Sequence, residues 1–556
     1  MQDFIYYHQE KLPFPLSEDI LSVSELPSSF DHSYIVSNTP MIPSEIIAKE
    51  IDFYIKNSQE SLSNQMKNIK KLYEINAKKF DCSQDIPYEQ LVSNQLLIIG
   101  SHEEKNEFLE YIGSDEFEVF HVDDALIKTI SGHIGALEVI VLSNEKEVPL
   151  SVSQIAWFNA KEPTNRSGVV NITSESIPEV IAQLRNNVSH YAYKKYLTYD
   201  ASICQYHERR EEVCGKCEEV CPSVAITKID ANKHLEFSQI DCLGCGGCIS
   251  VCPSGALDYA PMNKESIFEI ARLYENHIPL IVPKKMHIEN LNVPLKEGIL
   301  PLAIEGEKFL HESTLLTLLQ ESGSQIVFYT DFMARGTNDA IDMLNGIYQK
   351  KYGVDAILVA KNEEELSVTL QEASLIENSR YSIHQTTENK RENFAIRLAH
   401  IVQNETLGTV QTGEHIDYGV VKVNEDNCTL CLSCVGACNV NALMADAKDN
   451  TLRINPSLCT ACGYCEISCP EKECMSIEHN VIKLEPSWFT YNILAQDELF
   501  ACIECGKEFA TKKAVEKVAQ MMAPIFSQMS KTKERTLYCC EDCKAKLMIK
   551  EGLLHA

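Results

Sequence analysis

Short apolar runs of strand length alternate with helical patterns in two long parts of the chain. In residues 86–200 the runs indicate buried strands of an α/β domain, and they lie at 96–100, 117–120 and 139–142. In residues 263–410 the runs lie at 278–282, 326–329 and 356–359, and the helical patterns between them lie at 338–351 and 363–373. The second alternation predicts a parallel sheet with crossover helices.

The first 85 residues have a weaker pattern. Residues 1–40 contain four prolines among many polar residues, which indicates an extended or poorly ordered lead-in. From residue 43 to residue 80 apolar side chains recur at helical spacing behind Pro43, and this predicts a helix with a packing or spacer role.

Composition and charge narrow the class of protein. The chain has 556 residues, enough for three or four domains, and its 44% hydrophobic and 23% charged residues are typical of a soluble globular protein. Acidic residues outnumber basic ones 80 to 50. The resulting net charge of −30 argues against nucleic acid or an anionic membrane surface as the main partner.

The cysteines are the most informative residues. There are 23 of them; 22 lie after position 200, and none lies between Cys252 and Cys428. Most fall in triplets two residues apart, which suits metal ligands better than disulfide bridges. The N-terminus has no basic or apolar leader, and no apolar run approaches the roughly 18 residues that a membrane span needs. We therefore expect a cytoplasmic protein with reduced thiols.

The cysteine runs form two cassettes that repeat one another. Each cassette contains two runs of the form C-x2-C-x2-C-x3-C, except that nine residues follow the first cysteine of the first cassette. In both cassettes 21 positions separate the fourth cysteine from the fifth, and the segments between them align without gaps as short hairpins. This is an internal duplication. Its members are Cys204, Cys214, Cys217, Cys221, Cys242, Cys245, Cys248 and Cys252, then Cys428, Cys431, Cys434, Cys438, Cys459, Cys462, Cys465 and Cys469.

The spacing is that of [4Fe–4S] ligands. Two-residue gaps let one loop place three thiolates around a cube, and the fourth cysteine reaches the neighbouring cube. Zinc sites use pairs of cysteines instead. Crossed ligation predicts four clusters, held by Cys204, Cys214, Cys217 and Cys252; by Cys242, Cys245, Cys248 and Cys221; by Cys428, Cys431, Cys434 and Cys469; and by Cys459, Cys462, Cys465 and Cys438.

Two departures from the regular pattern remove no ligand. The nine-residue gap after Cys204 enlarges one loop and places His207, Arg209 and Arg210 near a cluster. Asn439 stands where a proline normally follows the fourth cysteine, which loosens that turn.

Two C-x2-C pairs near the C-terminus predict a further metal site. Four thiolates, from Cys502, Cys505, Cys540 and Cys543, indicate a closed structural zinc site. A rubredoxin-like iron site uses similar pairs and stays an alternative, and Cys539 is an alternative ligand. The cysteines left over, which we expect to be free thiols, are Cys82, Cys474 and Cys539.

The cysteine runs resemble those of bacterial two-cluster ferredoxins. A wider resemblance, carried by residues 203–217, residues 300–305 and the C-terminal cysteine pairs, is to large cytoplasmic iron–sulfur proteins associated with formate dehydrogenase in proteobacteria. That resemblance implies electron transport linked to formate oxidation, with formate dehydrogenase as a candidate redox partner.

We therefore predict an α+β multidomain protein with two ferredoxin-like dicluster modules, two α/β segments and a zinc-ribbon-like C-terminal module. The predicted divisions are a lead-in and helix at 1–85, an α/β domain at 86–200, a dicluster domain at 201–262, an α/β domain at 263–410, a second dicluster domain at 411–485 and the zinc-binding module at 486–556.

The predicted function is a relay of single electrons through four [4Fe–4S] clusters. Bound clusters add negative charge, so the redox partner should present a basic docking surface. No nucleophile or general base stands out, and we expect any catalytic step to lie in the partner. Two other classes stay open: an assembly or maturation factor for a metalloenzyme, and a subunit that binds flavin or nicotinamide in an α/β domain.

Overall fold

The computed structural model describes residues 3–26, 33–113, 116–143, 146–160, 165–172, 176–384, 389–550 and 552. Before position 86 the described residues form a parallel four-stranded sheet and two helices. In sheet order the strands are Ile20–Val23, Phe4–Tyr7, Tyr34–Ser37 and Ser44–Ile47, and the helices are Glu50–Asn57 and Leu62–Cys82.

This sheet corrects two expectations for the N-terminal region. The described part of residues 1–40 includes extended strands but is not a poorly ordered lead-in, because Ile5 and Val36 are buried and the Tyr73 hydroxyl donates to Ile5 O at 2.8 Å. The predicted helix at 43–80 is divided, since a strand occupies its first residues and two helices follow. Strands of four residues give too short an alternation to be recognised, and their burial comes from the helices packed against them.

The next part of the chain, to about residue 200, combines a parallel sheet with an antiparallel one. The parallel strands are, in sheet order, Val169–Asn171, Gln154–Trp157, Gln95–Ile99 and Glu118–Val122. The predicted strand at 139–142 lies in the antiparallel meander, Ile127–His133, Ala136–Ser143 and Lys146–Val152. The remaining elements are the pair Pro87–Val92 and Ser189–Lys194 and the helices His102–Leu109 and Ile177–Asn187.

The part without cysteines has the parallel sheet that its pattern predicts. Its strands are, in sheet order, Ile299–Ile304, Ile278–Pro283, Ile326–Tyr329 and Ile357–Ala360. The first three are buried at every position, as apolar runs between two helical layers should be. The helices are Lys264–Leu273, Glu312–Ser322, Arg335–Tyr352, Glu363–Glu372 and Lys390–Val402.

Both cassettes fold on one plan, in which a central hairpin is bracketed by an outer pair of antiparallel strands. In the first the outer strands are Leu197–Tyr199 and Leu257–Tyr259, the hairpin is Ile226–Ile229 with His234–Phe237, and the helices are Lys216–Glu219 and Gly247–Ser250. In the second the outer strands are Gly419–Val423 and Met475–His479, the hairpin is Leu443–Asp446 with Thr451–Ile454, and the helices are Ser433–Ala437 and Tyr464–Ile467. The second module has three further strands, Gly408–Gln411, Val481–Leu484 and Asn492–Gln496.

The C-terminal segment is a short hairpin followed by helices. The strands are Leu499–Ala501 and Glu508–Thr511, and the helices are Lys512–Met529, Lys531–Thr536 and Glu541–Lys550. Single 3₁₀ turns lie at Asp124–Leu126, Ala201–Ile203, Ala260–Met262, Lys284–Met286, Ile288–Asn290, Pro456–Leu458 and Pro486–Phe489. Among the described residues no helix combines the length and the apolar character that a bilayer crossing requires.

Candidate metal centres

Three of the four cysteine loops share one backbone conformation. The second and fourth residues after the first cysteine adopt a left-handed conformation, and these residues are Gly244 and Gly246, Leu430 and Leu432, and Ala461 and Gly463. The third cysteine then lies in a short helix. A loop of this kind can place three thiolates around one cluster. The fourth loop differs because the long insertion separates Cys204 from Cys214.

Backbone N–H groups point at the cysteine sulfurs, as cluster ligation requires. The amide of Tyr206 donates to Cys204 Sγ at 3.4 Å, and the amide of Ala461 donates to Cys459 Sγ at 3.3 Å. These donors stabilise sulfur that carries negative charge. The donor chemistry therefore fits thiolates that hold an iron–sulfur cluster.

In the first module each buried thiol lies among the cysteines that the spacing assigns to its group. Burial raises the pKa of Cys217 well above its usual range, and the pKa is raised further by the charges of Cys252, Cys214 and Cys204. Burial also raises the pKa of Cys248, with further contributions from Cys217, Cys242, Cys245 and Cys221.

The second module repeats this arrangement. Burial raises the pKa of Cys434 to about 12, helped by the charges of Cys428, Cys431 and Cys469. Burial raises the pKa of Cys465, helped by Cys459, Cys462, Cys438 and Cys434. The third cysteines of the two loops in each module are thus neighbours, Cys217 with Cys248 and Cys434 with Cys465.

We name the four groups by their members. They are set A (Cys204, Cys214, Cys217, Cys252), set B (Cys242, Cys245, Cys248, Cys221), set C (Cys428, Cys431, Cys434, Cys469) and set D (Cys459, Cys462, Cys465, Cys438). The fold brings together the cysteines that crossed ligation groups, and their role as cluster ligands stays a prediction.

The two departures from the regular spacing meet at the contact between the modules. Asn439, next to Cys438 of set D, donates from Nδ2 to the carbonyl oxygens of Ser202 and Cys204 at 3.1 and 3.2 Å. It also accepts a hydrogen bond from Gln205 Nε2 at 2.8 Å. Asn439 therefore does more than loosen a turn, because it attaches the loop of set D to the loop of set A. A proline side chain at this position could form none of these hydrogen bonds.

One cysteine that the sequence leaves as a free thiol lies beside a set. Cys474 is buried, and its pKa is raised to about 12 by burial and by the charges of Cys428 and Cys469 of set C. Strand pairing places it there, because the amide of Asn424 donates to Cys474 O at 2.7 Å. Spacing alone does not reveal this neighbour, since the outer strands of the module pair across some 50 residues.

The C-terminal cysteine pairs form a compact group. The four Sγ atoms of Cys502, Cys505, Cys540 and Cys543 all lie within 4.8 Å of one another. Burial would raise the pKa of Cys502, but backbone N–H groups, led by that of Cys540, outweigh it and lower the pKa to about 6. Cys539 lies outside the group and donates from Sγ to Arg535 O at 3.3 Å. The chemistry of the donors fits a tetrahedral cation that prefers thiolates.

Two stretches of the chain match models of known protein families. Residues 186–256 and residues 420–470 each match a 4Fe–4S dicluster domain, and each match spans all eight cysteines of its cassette. No curated protein is similar enough to the chain to count as a match. The chain therefore contains two iron–sulfur domains of ferredoxin type within a mixed α/β protein.

Proposed function

We propose that this chain is an electron carrier that binds four [4Fe–4S] clusters, one in each of sets A to D, and relays single electrons through them. Such clusters supply one-electron oxidation and reduction when bound. The protein's own part is to gather four thiolates at each centre, to aim backbone N–H groups at the sulfurs and to bury seven of the sixteen cysteines, with all but one of the others half-buried.

The order of the sets is the observation that carries this proposal. Within each module two sets adjoin through their third cysteines, and between modules set A adjoins set D through Asn439. The sets therefore follow one another as B, A, D and C. A carrier with this order passes an electron from one end to the other without releasing it to solvent.

The charge of the chain supports a basic partner. The net charge is −30 before metal binding, and each four-thiolate [4Fe–4S] centre adds about −2 per site relative to neutral thiols. We propose a redox protein with a positively charged docking surface, and the sequence resemblance described above favours one of the formate dehydrogenase type. Electrostatic attraction would then speed the encounter and weaken with added salt.

We propose a structural zinc ion for the C-terminal group. The compact set of four thiols supports it, and so do contacts that attach this segment beside set C. Thr511 Oγ1 donates to Thr429 O at 2.9 Å, and Lys517 pairs with Glu471. The segment buries few apolar side chains, so a metal contribution of about 10 kcal/mol would account for its fold.

An anaerobic redox titration followed by EPR tests the electron-carrier proposal. We expect four one-electron couples that cycle reversibly, and reduction of the protein by formate in the presence of formate dehydrogenase. Clusters that do not cycle reversibly would contradict a relay and favour an assembly factor. Reversible couples without reduction by formate would refute the proposed partner alone.

One observation favours a flavin-binding subunit as a second candidate. A cleft of about 720 Å³ lies between the first α/β part and the first module, and Trp157, Lys128 and Cys221 of set B are among the residues that line it. A planar cofactor there would lie against a cluster ligand. The visible spectrum of the protein purified without air tests this candidate, because a bound flavin would add its own absorption bands to those of the clusters. A spectrum without flavin bands would contradict it.

A further inference from the structure

Two arginines occupy the contact between sets A and D. Arg391 lies in the first turn of the helix Lys390–Val402, and its side chain is almost fully buried, at 1% exposure. Its Nε donates to the carbonyl oxygen of Pro253, the residue after Cys252 of set A, at 2.6 Å. Its guanidinium also stacks on Tyr418, 3.8 Å from the ring centroid.

The second arginine comes from the long insertion after Cys204. Arg209 Nη1 donates to Ala437 O at 2.8 Å, directly before Cys438 of set D. Its guanidinium lies 4.5 Å from the ring centroid of Tyr464, which stands between Cys462 and Cys465 of the same set. The insertion that sets this loop apart from the other three thus delivers a positive charge to the neighbouring module.

Each guanidinium has an N–H group that donates no hydrogen bond to the described part of the protein. Within the described residues Arg391 Nη1 and Arg209 Nε are buried without a hydrogen-bond partner. The nearby carboxylates already form ion pairs with lysines, Asp417 with Lys216 and Glu312 with Lys390. A buried cationic N–H without an acceptor is costly unless negative charge lies close by.

We propose that Arg209 raises the reduction potential of the cluster in set D, so that this inner centre holds the electron on its way between the modules, and that Arg391 adds a second positive charge at the contact between sets A and D. Reduction adds a negative charge to the centre, and a buried positive charge nearby stabilises the reduced form. The charges of the two arginines act on thiols of this set, Arg391 on Cys459 and Arg209 on Cys462. Neither arginine is a cluster ligand, and both act on the cluster through their charge. This inference rests on the proposed function.

The test compares Arg209→Gln with Arg209→Lys, using the full-length holoprotein. We expect one of the four midpoint potentials to shift to a lower value in R209Q, the other three to stay in place, and R209K to restore most of the shift. Arg210→Gln is the matched control, because the Arg210 side chain is exposed on the same loop and should leave all four potentials unchanged.

Iron content separates a tuning effect from a folding defect. If R209Q binds less iron than the wild type, the titration is repeated on Arg209→Met, which keeps an unbranched stem on Tyr464 without the charge. A variant with full iron and four unchanged potentials would overturn the inference, as would an equal shift of all four. Failure of the proposed function is recognised separately, because the wild type itself would then lack four reversible couples.

Discussion

Gly246 and Gly463 hold the same place in two cysteine loops, one residue after the second cysteine. Their backbones are nearly identical, with φ of +80° and +78°. Their surroundings differ: a Cβ at Gly246 would lie 2.4 Å from Phe309 Cβ and 2.9 Å from its Cα, whereas a Cβ at Gly463 would have no atom within 4 Å. Alanine substitutions at the two positions therefore form a matched pair.

The structure gives the size of the difference between the two variants. A left-handed conformation costs an alanine roughly 1–2 kcal/mol, and both variants incur this cost. Only Gly246→Ala adds overpacking, because Phe309 is buried, stacks on Tyr259 at 4.5 Å between ring centroids and belongs to a segment held by the Lys308 N–H donating to Cys245 O. Overpacking of a buried site costs about 1–3 kcal/mol.

Release of iron to a chelator under anaerobic conditions measures this difference. If the loop must open before its cluster is lost, an extra 1–3 kcal/mol corresponds to roughly 5- to 150-fold faster release from G246A than from G463A. The fast phase should account for one cluster of the four, because only set B lies in this loop. Equal release rates in the two variants would refute the packing argument.

Three further predictions concern the C-terminal group and the α/β core. Cys502→Ser should abolish zinc binding and leave the iron content unchanged, whereas Cys539→Ala should keep both; zinc retained in C502S would contradict the assignment. Because the hydrogen bond with Cys505 raises the pKa of Cys543 to about 12, zinc must displace at least this proton, so the affinity of the metal-free chain should fall by roughly tenfold or more per unit between pH 8 and pH 6; affinity independent of pH would count against this. Glu321→Gln breaks a buried ion pair of 2.9 Å with Arg397 and should cost about 3–5 kcal/mol in urea unfolding, and an unchanged transition would argue that the pair is dispensable.

The three cysteines of each loop can be predicted to act together because their spacing is local, whereas the role of the sets as cluster ligands stays a prediction. Two-residue gaps between cysteines limit the backbone to one type of curled loop, and the internal duplication repeats this loop in the second cassette. The parallel sheet around Ile278–Pro283 follows for a similar reason, since a fully apolar strand has to be covered on both faces.

Contacts between distant segments could not be predicted in this way. Asn439 and Arg209 join segments more than 200 residues apart. The sequence signals at these positions are a missing proline and a long gap between cysteines, and neither signal shows which residues the side chain contacts. Cys474 reaches set C only through strand pairing. The N-terminal sheet was missed because its four-residue strands gain their burial from the fold rather than from their own pattern.

The number of clusters per chain is the most direct test of the central claim. Metal analysis of anaerobically purified protein, combined with spin integration of the fully reduced EPR spectrum, counts them. We predict about 16 iron atoms, one zinc ion and about four unpaired spins per chain. About eight iron atoms with two spins would show that one module carries no clusters, and would contradict a relay through sets A to D.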